Sequence, residues 1–388
     1  MLNDFENRNI FRTFVLSFMA TLYIHIPFCK RICSYCDFYK VGAISHIPQV
    51  VEMLHREMEE RANYVSTRHL TSIYFGGGTP SLINPKEIEG LISHADKLFD
   101  CSAVEEITIE ANPDDLTKEY VSSLASTPVN RVSLGIQSFD DEALRFMNRR
   151  HTSTEAIDAV HRLRNAGFRN ISLDIIFGIA GFGDRVLKHS IEQLIALNPE
   201  HISAYHLIVE EQTRLGIMTR RGEYTPIDDI LSEQEYLMVH HMLTEAGYEH
   251  YEVSNYSKAG FRARHNSSYW QGVEYLGLGP GAHSFSTDNR TWCTSTVKEY
   301  ATGVFKYEDE HLTQRDHLNE YVMTSLRCCE GIDLATIEQR FGSHERQRIL
   351  RCAQSWLDSG ALLLADNHLF IPTPKMLISD AIIETLFE

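Results

Sequence analysis

The 388-residue sequence has no apolar run long enough to cross a bilayer. Its most apolar N-terminal stretch, residues 10–22, is short and is broken by Arg12, Thr13 and Ser17. Stable membrane insertion is therefore excluded. As a secretion signal the stretch would run straight into a cysteine cluster. The reading favoured is that Met19 is the true start, with residues 1–18 an upstream translation artefact or a loose arm. Basic residues are scarce as well: 36 Lys and Arg stand against 53 Asp and Glu, a net charge of −17. Phosphate neutralisation needs clustered Lys and Arg, so nucleic acid is excluded as a partner and docking on anionic lipid is disfavoured. There is no low-complexity run and no internal repeat. The disulfide framework of a small secreted protein is missing too. Three of the eight cysteines, Cys29, Cys33 and Cys36, crowd into one loop; Cys101, Cys293, Cys328, Cys329 and Cys352 are scattered. A chain of this length buries a large core without cross-links. These features describe a reduced, cytoplasmic protein with one metal site.

What is present is an alternation of short apolar strands and amphipathic helices. Strands are expected at 22–26, 72–75, 107–110, 131–136, 171–177 and 201–208. Helices are expected at 85–99, 117–125, 140–147, 154–166, 186–197 and 232–246, and Ile47, Val50, Val51, Leu54 and Met58 recur at helical spacing. Such alternation implies right-handed βαβ units and a parallel sheet. Six units suit a partial barrel, an α/β fold whose functional groups sit at the strand C-termini. The expected division is an N-terminal extension at 1–20, the barrel at 21–253, a Gly-, His- and Tyr-rich connecting region over it at 254–315, and a mainly helical C-terminal domain at 316–388. Helices at 318–326, 334–341 and 345–358 followed by a hairpin at 361–371 give a winged-helix-like end. Residues 331–388 hold five Lys and Arg against eight Asp and Glu, which argues against a DNA reader there. Gly277, Gly279 and Gly281 superficially match a dinucleotide fingerprint, but no helix of a βαβ unit is expected after them.

The chemistry-bearing motif is Cys29-Lys-Arg-Ile-Cys33-Ser-Tyr-Cys36, directly after the first strand. Three thiolates in one loop can close around one metal centre. Structural zinc wants four protein ligands, so a zinc reading needs His25 or Asp37 as the fourth. A four-iron cluster held by three cysteines instead leaves one iron open to an exogenous chelate. The tight three-cysteine loop at a strand end favours the cluster over zinc or plain core cysteines.

The stretch from Tyr23 through His25-Ile-Pro-Phe to Cys29, Cys33, Cys36, Asp37 and Phe38 resembles the radical S-adenosylmethionine (SAM) superfamily. Within it the chain is similar to the oxygen-independent coproporphyrinogen III dehydrogenase branch and its heme-chaperone relatives, over residues 21–388. The resemblance implies a 4Fe–4S cluster on Cys29, Cys33 and Cys36. It also implies SAM held by Tyr23, by Gly77, Gly78 and Thr79 of the Gly76-Gly77-Gly78-Thr79-Pro80 turn, by Glu110, Gln137 and Arg149, and by Asp174. The shared chemistry it implies is one-electron reduction of the SAM sulfonium, giving methionine and a 5′-deoxyadenosyl radical.

Two departures bear on the branch. The dehydrogenases carry a further cysteine two residues after the third, where this chain has Phe38; the heme-chaperone branch has Cys-Asp-Phe there. The His265-Asn266-Ser-Ser-Tyr269-Trp270 element matches one implicated in heme handling in that branch. His265 can ligate heme iron, and Tyr269 and Trp270 can stack on a porphyrin; the alternative is a Gly-rich loop holding a satisfied histidine. The expected function is a heme chaperone that binds cluster, SAM and heme, serves heme-accepting apo-proteins and draws on a one-electron donor. The alternatives are coproporphyrinogen III dehydrogenase in porphyrin biosynthesis, and a cluster-free zinc or interaction protein. One loop departs from the family pattern: Gly178-Ile-Ala-Gly181-Phe-Gly183-Asp-Arg stands where Leu-Pro-Gly-Gln-Thr is usual.

Overall fold

The computed structural model describes residues 19–388, and the expected N-terminal arm lies outside them. Six parallel strands follow in chain order: β1 (Ala20–Ile26), β2 (Leu70–Gly77), β3 (Glu106–Ala111), β4 (Arg131–Gln137), β5 (Asn170–Phe177) and β6 (His201–His206). Helices Ile47–Arg61, Pro85–Leu98, Lys118–Leu124, Ser153–Asn165 and Gly183–Leu197 cover their outer face. Local chemistry sets the helix starts. Asn84 accepts from the Lys86 N–H with Pro85 in the first turn, and Thr152 and Glu155 form a capping box.

Apolar and polar residues alternate along the strands. Leu22, Ile24 and Ile26, Ile107 and Ile109, Val132, Leu134 and Ile136, and Ile171, Leu173 and Ile175 are buried among the helices. Each such side chain contributes roughly 1.5–3 kcal/mol by leaving water. The opposite face carries Tyr23, Tyr74, Glu110, Arg131, Ser133, Ser172, Asp174, His201 and Tyr205, with Tyr74 bonded to Glu110, Ser133 to Asp174 and Ser172 to His201 across the inside. Buried parallel strands ordinarily read as near-continuous apolar runs, and closed barrels fill their interior with Val, Ile and Leu. A polar inner face is the layout of a lumen.

The sheet does not close. Beyond β6 come the antiparallel β7 (Glu249–Glu252) and β8 (Asn255–Ser257). On the other edge β9 (Glu274–Leu278) pairs parallel with β1, and β10 (His283–Ser286), β11 (Asn289–Cys293) and β12 (Tyr307–His311) continue antiparallel. A strand, not the helix that a dinucleotide fingerprint needs, therefore follows Gly277, Gly279 and Gly281.

The C-terminal part packs helices Gln314–Leu326, Leu334–Phe341 and Ser343–Asp358 with a three-stranded sheet, β13 (Ile332–Asp333), β14 (Leu363–Ala365) and β15 (His368–Phe370). Asp366 and Asn367 join β14 to β15, both with positive φ (49° and 64°), as a type I′ hairpin demands.

Candidate functional site

The three-cysteine loop leaves the C-terminal end of β1 and is tied down on both sides. Cys29 N–H donates to the Val41 carbonyl at 3.0 Å and Val41 N–H to the Pro27 carbonyl at 2.7 Å. Ser34 bonds to Met147 and Phe146, Leu215 N–H reaches the Ser34 carbonyl, and Asn148 holds the Ile32 carbonyl. The loop is thus positioned by helix Asp141–Phe146 and the turn after it, and by helix Arg214–Arg220.

Around the thiols runs a polar circuit. Thr79 Oγ1 donates to Cys29 Sγ at 3.4 Å and accepts from Asn112 Nδ2 at 3.2 Å. Asn112 Oδ1 accepts from Arg149 Nη2 at 2.6 Å, and Arg149 Nη1 donates to Cys33 Sγ at 3.3 Å. Arg149 also holds the Gly135 carbonyl at 2.6 Å, while its Nε is a buried donor with no partner. Burial pushes the Cys29 and Cys36 thiols up, Thr79 opposing it at Cys29 and Lys40 at Cys36.

The glycine turn shapes the lumen mouth. Gly77 has φ 109°, and a Cβ there would lie 2.5 Å from the His25 ring; a Cβ on Gly78 would lie 2.8 Å from the Phe28 carbonyl. Gly77 N–H donates to Glu110 Oε2 at 3.1 Å and Tyr74 to Glu110 Oε1 at 2.8 Å. Burial nonetheless raises Glu110 to about 7. Gln137 ends β4 at a register shift with φ 71°, and a Cβ at Gly135 would strike its amide at 2.7 Å. Left-handed backbone at a non-glycine strand end is strain of the kind that clusters at functional sites. Asp174 lies deeper, accepting from Ser133 at 3.3 Å and Ser172 at 3.4 Å, and burial raises its carboxyl.

The structure thus gathers Cys29, Cys33, Thr79, Asn112 and Arg149 in one circuit, with Cys36 on the same loop outside it and Tyr23, Gly77 and Glu110 beside it. His265 stands one ring further in, stacked on Tyr74 at 4.9 Å between centroids. It is 1% exposed, at the start of helix Arg264–Trp270, whose first N–H groups are capped by Glu106. Its Nδ1 is 2.8 Å from Ser72 Oγ and its Nε2 3.0 Å from Tyr269 Oη, so both ring nitrogens are engaged. Burial holds it neutral, with a pKa near 3.

Asn112, Tyr74, Arg131 and Tyr205 escape the motif reading. Arg131 is 1% exposed with Glu106 at 4.0 Å, and its Nε and Nη1 have no partner. The signal that exposes Tyr74, Arg131 and Tyr205 is the alternation of polar with apolar residues along each strand.

His25, one candidate for a fourth zinc ligand, has both ring nitrogens engaged. Its Nδ1 is 2.9 Å from Tyr23 Oη and its Nε2 3.2 Å from the Tyr39 carbonyl. Among the described residues no three His, Cys, Asp or Glu side chains are grouped to hold a single ion. Three thiols on one anchored loop, with hydroxyl and guanidinium donors aimed at two of them, fit a sulfur-ligated multi-iron group, and the unpartnered Arg149 Nε beside it fits an anionic ligand end.

A sequence model of the radical SAM superfamily matches residues 23–194, and one of the HemN C-terminal domain matches residues 312–375. The chain is 36% identical over 325 residues to the protein named heme chaperone HemW of Lactococcus lactis, covering 82% of this chain and 84% of that one. It is 34% identical over 331 residues to heme chaperone HemW of Bacillus subtilis, covering 84% and 87%. The chain belongs to the HemW family of radical SAM proteins. Escherichia coli HemW agrees at 32% over 318 residues, covering 80% and 83%. The structure of coproporphyrinogen III oxidase (HemN) from Escherichia coli superposes with a TM-score of 0.80 at 20% identity, covering 95% of this chain and 90% of that one. That likeness establishes a shared fold, the open radical SAM partial barrel with a helical C-terminal part. No helix among the described residues of this HemW-family chain is long and apolar enough to cross a membrane.

Proposed function

We propose that the chain is a heme chaperone of the radical SAM type, which holds a 4Fe–4S cluster and SAM at the lumen mouth and passes heme to apo-hemoproteins. The observation that carries this reading is its identity of 32–36% to proteins named heme chaperone HemW over at least four-fifths of its length. Cys29, Cys33 and Cys36 would ligate the cluster and leave one iron without a protein ligand. The bound cluster supplies the electron for cleavage of the SAM sulfonium. The chain's own part is positional. The Gly77–Gly78 turn lets the backbone approach the ligand, and Glu110 and Tyr23 offer polar contacts beside it. Arg149 presents a buried guanidinium, Gln137 and Asp174 line the wall, and the apolar outer shell excludes water.

The cluster loop also supports the heme reading. Phe38, at the position of the dehydrogenases' extra cysteine, is 72% exposed, and Ile32, Tyr39 and Ile44 on the same loop are exposed as well. An apolar rim of this kind suits a porphyrin face. Ligation of heme iron by His265 requires it to release Ser72 or Tyr269. The test is titration of the anaerobically reconstituted chain with heme, alongside a coproporphyrinogen turnover assay. Stoichiometric heme binding without turnover is expected; turnover without stable heme binding overturns the proposal.

A further inference from the structure

Three lumen tyrosines each hydrogen-bond to a group able to accept a proton. Tyr23 Oη lies 2.9 Å from His25 Nδ1, and His25 Nε2 faces the Tyr39 carbonyl. A carbonyl only accepts, so Nε2 carries the hydrogen and Nδ1 accepts from Tyr23. Tyr74 donates to Glu110 at 2.8 Å. Tyr269 Oη lies 3.0 Å from His265 Nε2, whose other nitrogen meets Ser72.

The same rings form one continuous run. Centroids are 6.0 Å apart for Tyr23 and Tyr74, 4.9 Å for Tyr74 and His265, 5.2 Å for His265 and Tyr269, and 4.7 Å for Tyr269 and Tyr275. Tyr275 is half-buried on β9 and pairs opposite Thr21, on the same face as Tyr23. Tyr236 and Tyr248, by contrast, donate to the carbonyls of Thr373 and Pro199, which cannot take a proton.

We propose that Tyr23, Tyr74 and Tyr269 form a proton-coupled redox relay that drains an oxidising equivalent from the lumen mouth to the half-buried Tyr269. This rests on the heme reading only for its natural oxidant, a one-electron oxidant of the class that peroxide makes of heme iron. Tyr23 gives that oxidant one electron, and its phenolic proton passes to His25 Nδ1. The O–H bond breaks, an N–H bond forms, and a neutral phenoxyl radical remains. Tyr74 then returns an electron to Tyr23, which recovers its proton from His25, while the Tyr74 proton moves to Glu110. The next exchange leaves the radical on Tyr269 with its proton on His265 Nε2, and Glu110 returns the proton to Tyr74. A soluble thiolate supplies the last electron and becomes a thiyl radical, and His265 gives the proton back to Tyr269.

The test uses the full-length chain without heme or cluster, oxidised by laser flash with a ruthenium polypyridyl sensitiser and an irreversible quencher. A tyrosyl radical signal by electron paramagnetic resonance is expected, with slower decay in deuterium oxide. Most of the signal should be lost when Tyr23→Phe, Tyr74→Phe and Tyr269→Phe are combined, and kept when Tyr236→Phe and Tyr248→Phe are combined. Equal signals in both variants, or no solvent isotope effect, overturn the relay. If the triple variant fails to fold, Tyr269→Phe alone decides: a lengthened radical lifetime supports the relay, and an unchanged one overturns it. No heme is present, so failure here leaves heme binding untouched, and failure of the heme titration leaves the relay standing.

Discussion

Asn112 and Arg149 meet at 2.6 Å, Oδ1 to Nη2, and so complete the circuit from Cys29 through Thr79 to Cys33. Asn112 directly follows β3 and Arg149 lies in the turn after helix Asp141–Phe146, so the contact also locks the lumen wall to the cluster loop. Replacing Asn112 by Leu strips partners from both Thr79 and Arg149. Each buried polar group left bare costs about 1–3 kcal/mol. Asn112→Leu should lower thermal stability by that order and speed iron loss from the reconstituted protein to a chelator. Unchanged iron release would show that the circuit does not support the loop.

The cluster assignment has a sharper test. Cys33→Ser removes one of three proposed ligands and should abolish the iron–sulfur absorbance after anaerobic reconstitution. Cys352→Ser, far along the chain on helix Ser343–Asp358, should leave it intact. Iron and sulfide analysis of both variants checks the outcome.

Gly78 has no freedom to grow. Its Cβ would sit 2.8 Å from the Phe28 carbonyl and 2.9 Å from the Ile26 carbonyl, both main-chain atoms next to Cys29. Gly78→Ala should therefore displace the loop and weaken SAM binding, read by equilibrium dialysis. Gly90→Ala, on the helix Pro85–Leu98 with open space around it, should be neutral or stabilising.

The parallel strands are legible because each apolar series, such as Val132, Leu134 and Ile136, keeps the period of a strand packed on helices. The cysteine loop is legible because its ligands are adjacent in sequence. The flank β9–β12 is not. Gly277 looks like loop punctuation, yet it is glycine because a Cβ would lie 1.9 Å from the His283 carbonyl where the chain folds back. Its pairing of Gly277 with Tyr23 spans most of the chain, and no local pattern encodes such a partner. Asn112 stayed hidden for a similar reason: its partners Thr79 and Arg149 meet it only when three strands are side by side. His265 has the residue type of a heme ligand, and only the surrounding Ser72 and Tyr269 show both its nitrogens engaged.

Buried titratable groups give the fold a pH signature. Burial lowers His25 from 6.5 to about 4 and His151, His250 and His265 to about 3. Below pH 6.5 the unfolded chain takes up protons that the native state refuses, so their contribution is lost as pH falls from 6.5 toward 3. Glu110 and Glu252 act oppositely, because burial raises both from 4.5 to about 7. Their contribution is present below 4.5 and lost as pH rises through 7. Glu110→Gln removes one such loss. Its urea midpoint should rise more between about pH 5 and about pH 7.5 than the parent's does. An identical pH profile would place the Glu110 carboxyl in its ordinary range.

Glu57 holds the flank to the barrel. It is fully buried on helix Ile47–Arg61, and accepts from Tyr300, from Tyr307 Oη at 2.6 Å and from Gly279 N–H at 2.7 Å, with Arg61 at 3.6 Å. Burial raises its carboxyl, and these donors and the Arg61 charge offset that cost. Glu57→Ala leaves the buried Tyr300 phenol and the Gly279 amide without an acceptor, and Tyr307 without its partner. Since β10–β12 otherwise extend the sheet only through β9, the loss should be local. Hydrogen exchange of the full-length variant should quicken across residues 279–311 while β2–β5 stay protected. Uniform loss of protection across all strands would instead make the flank and the barrel a single cooperative unit.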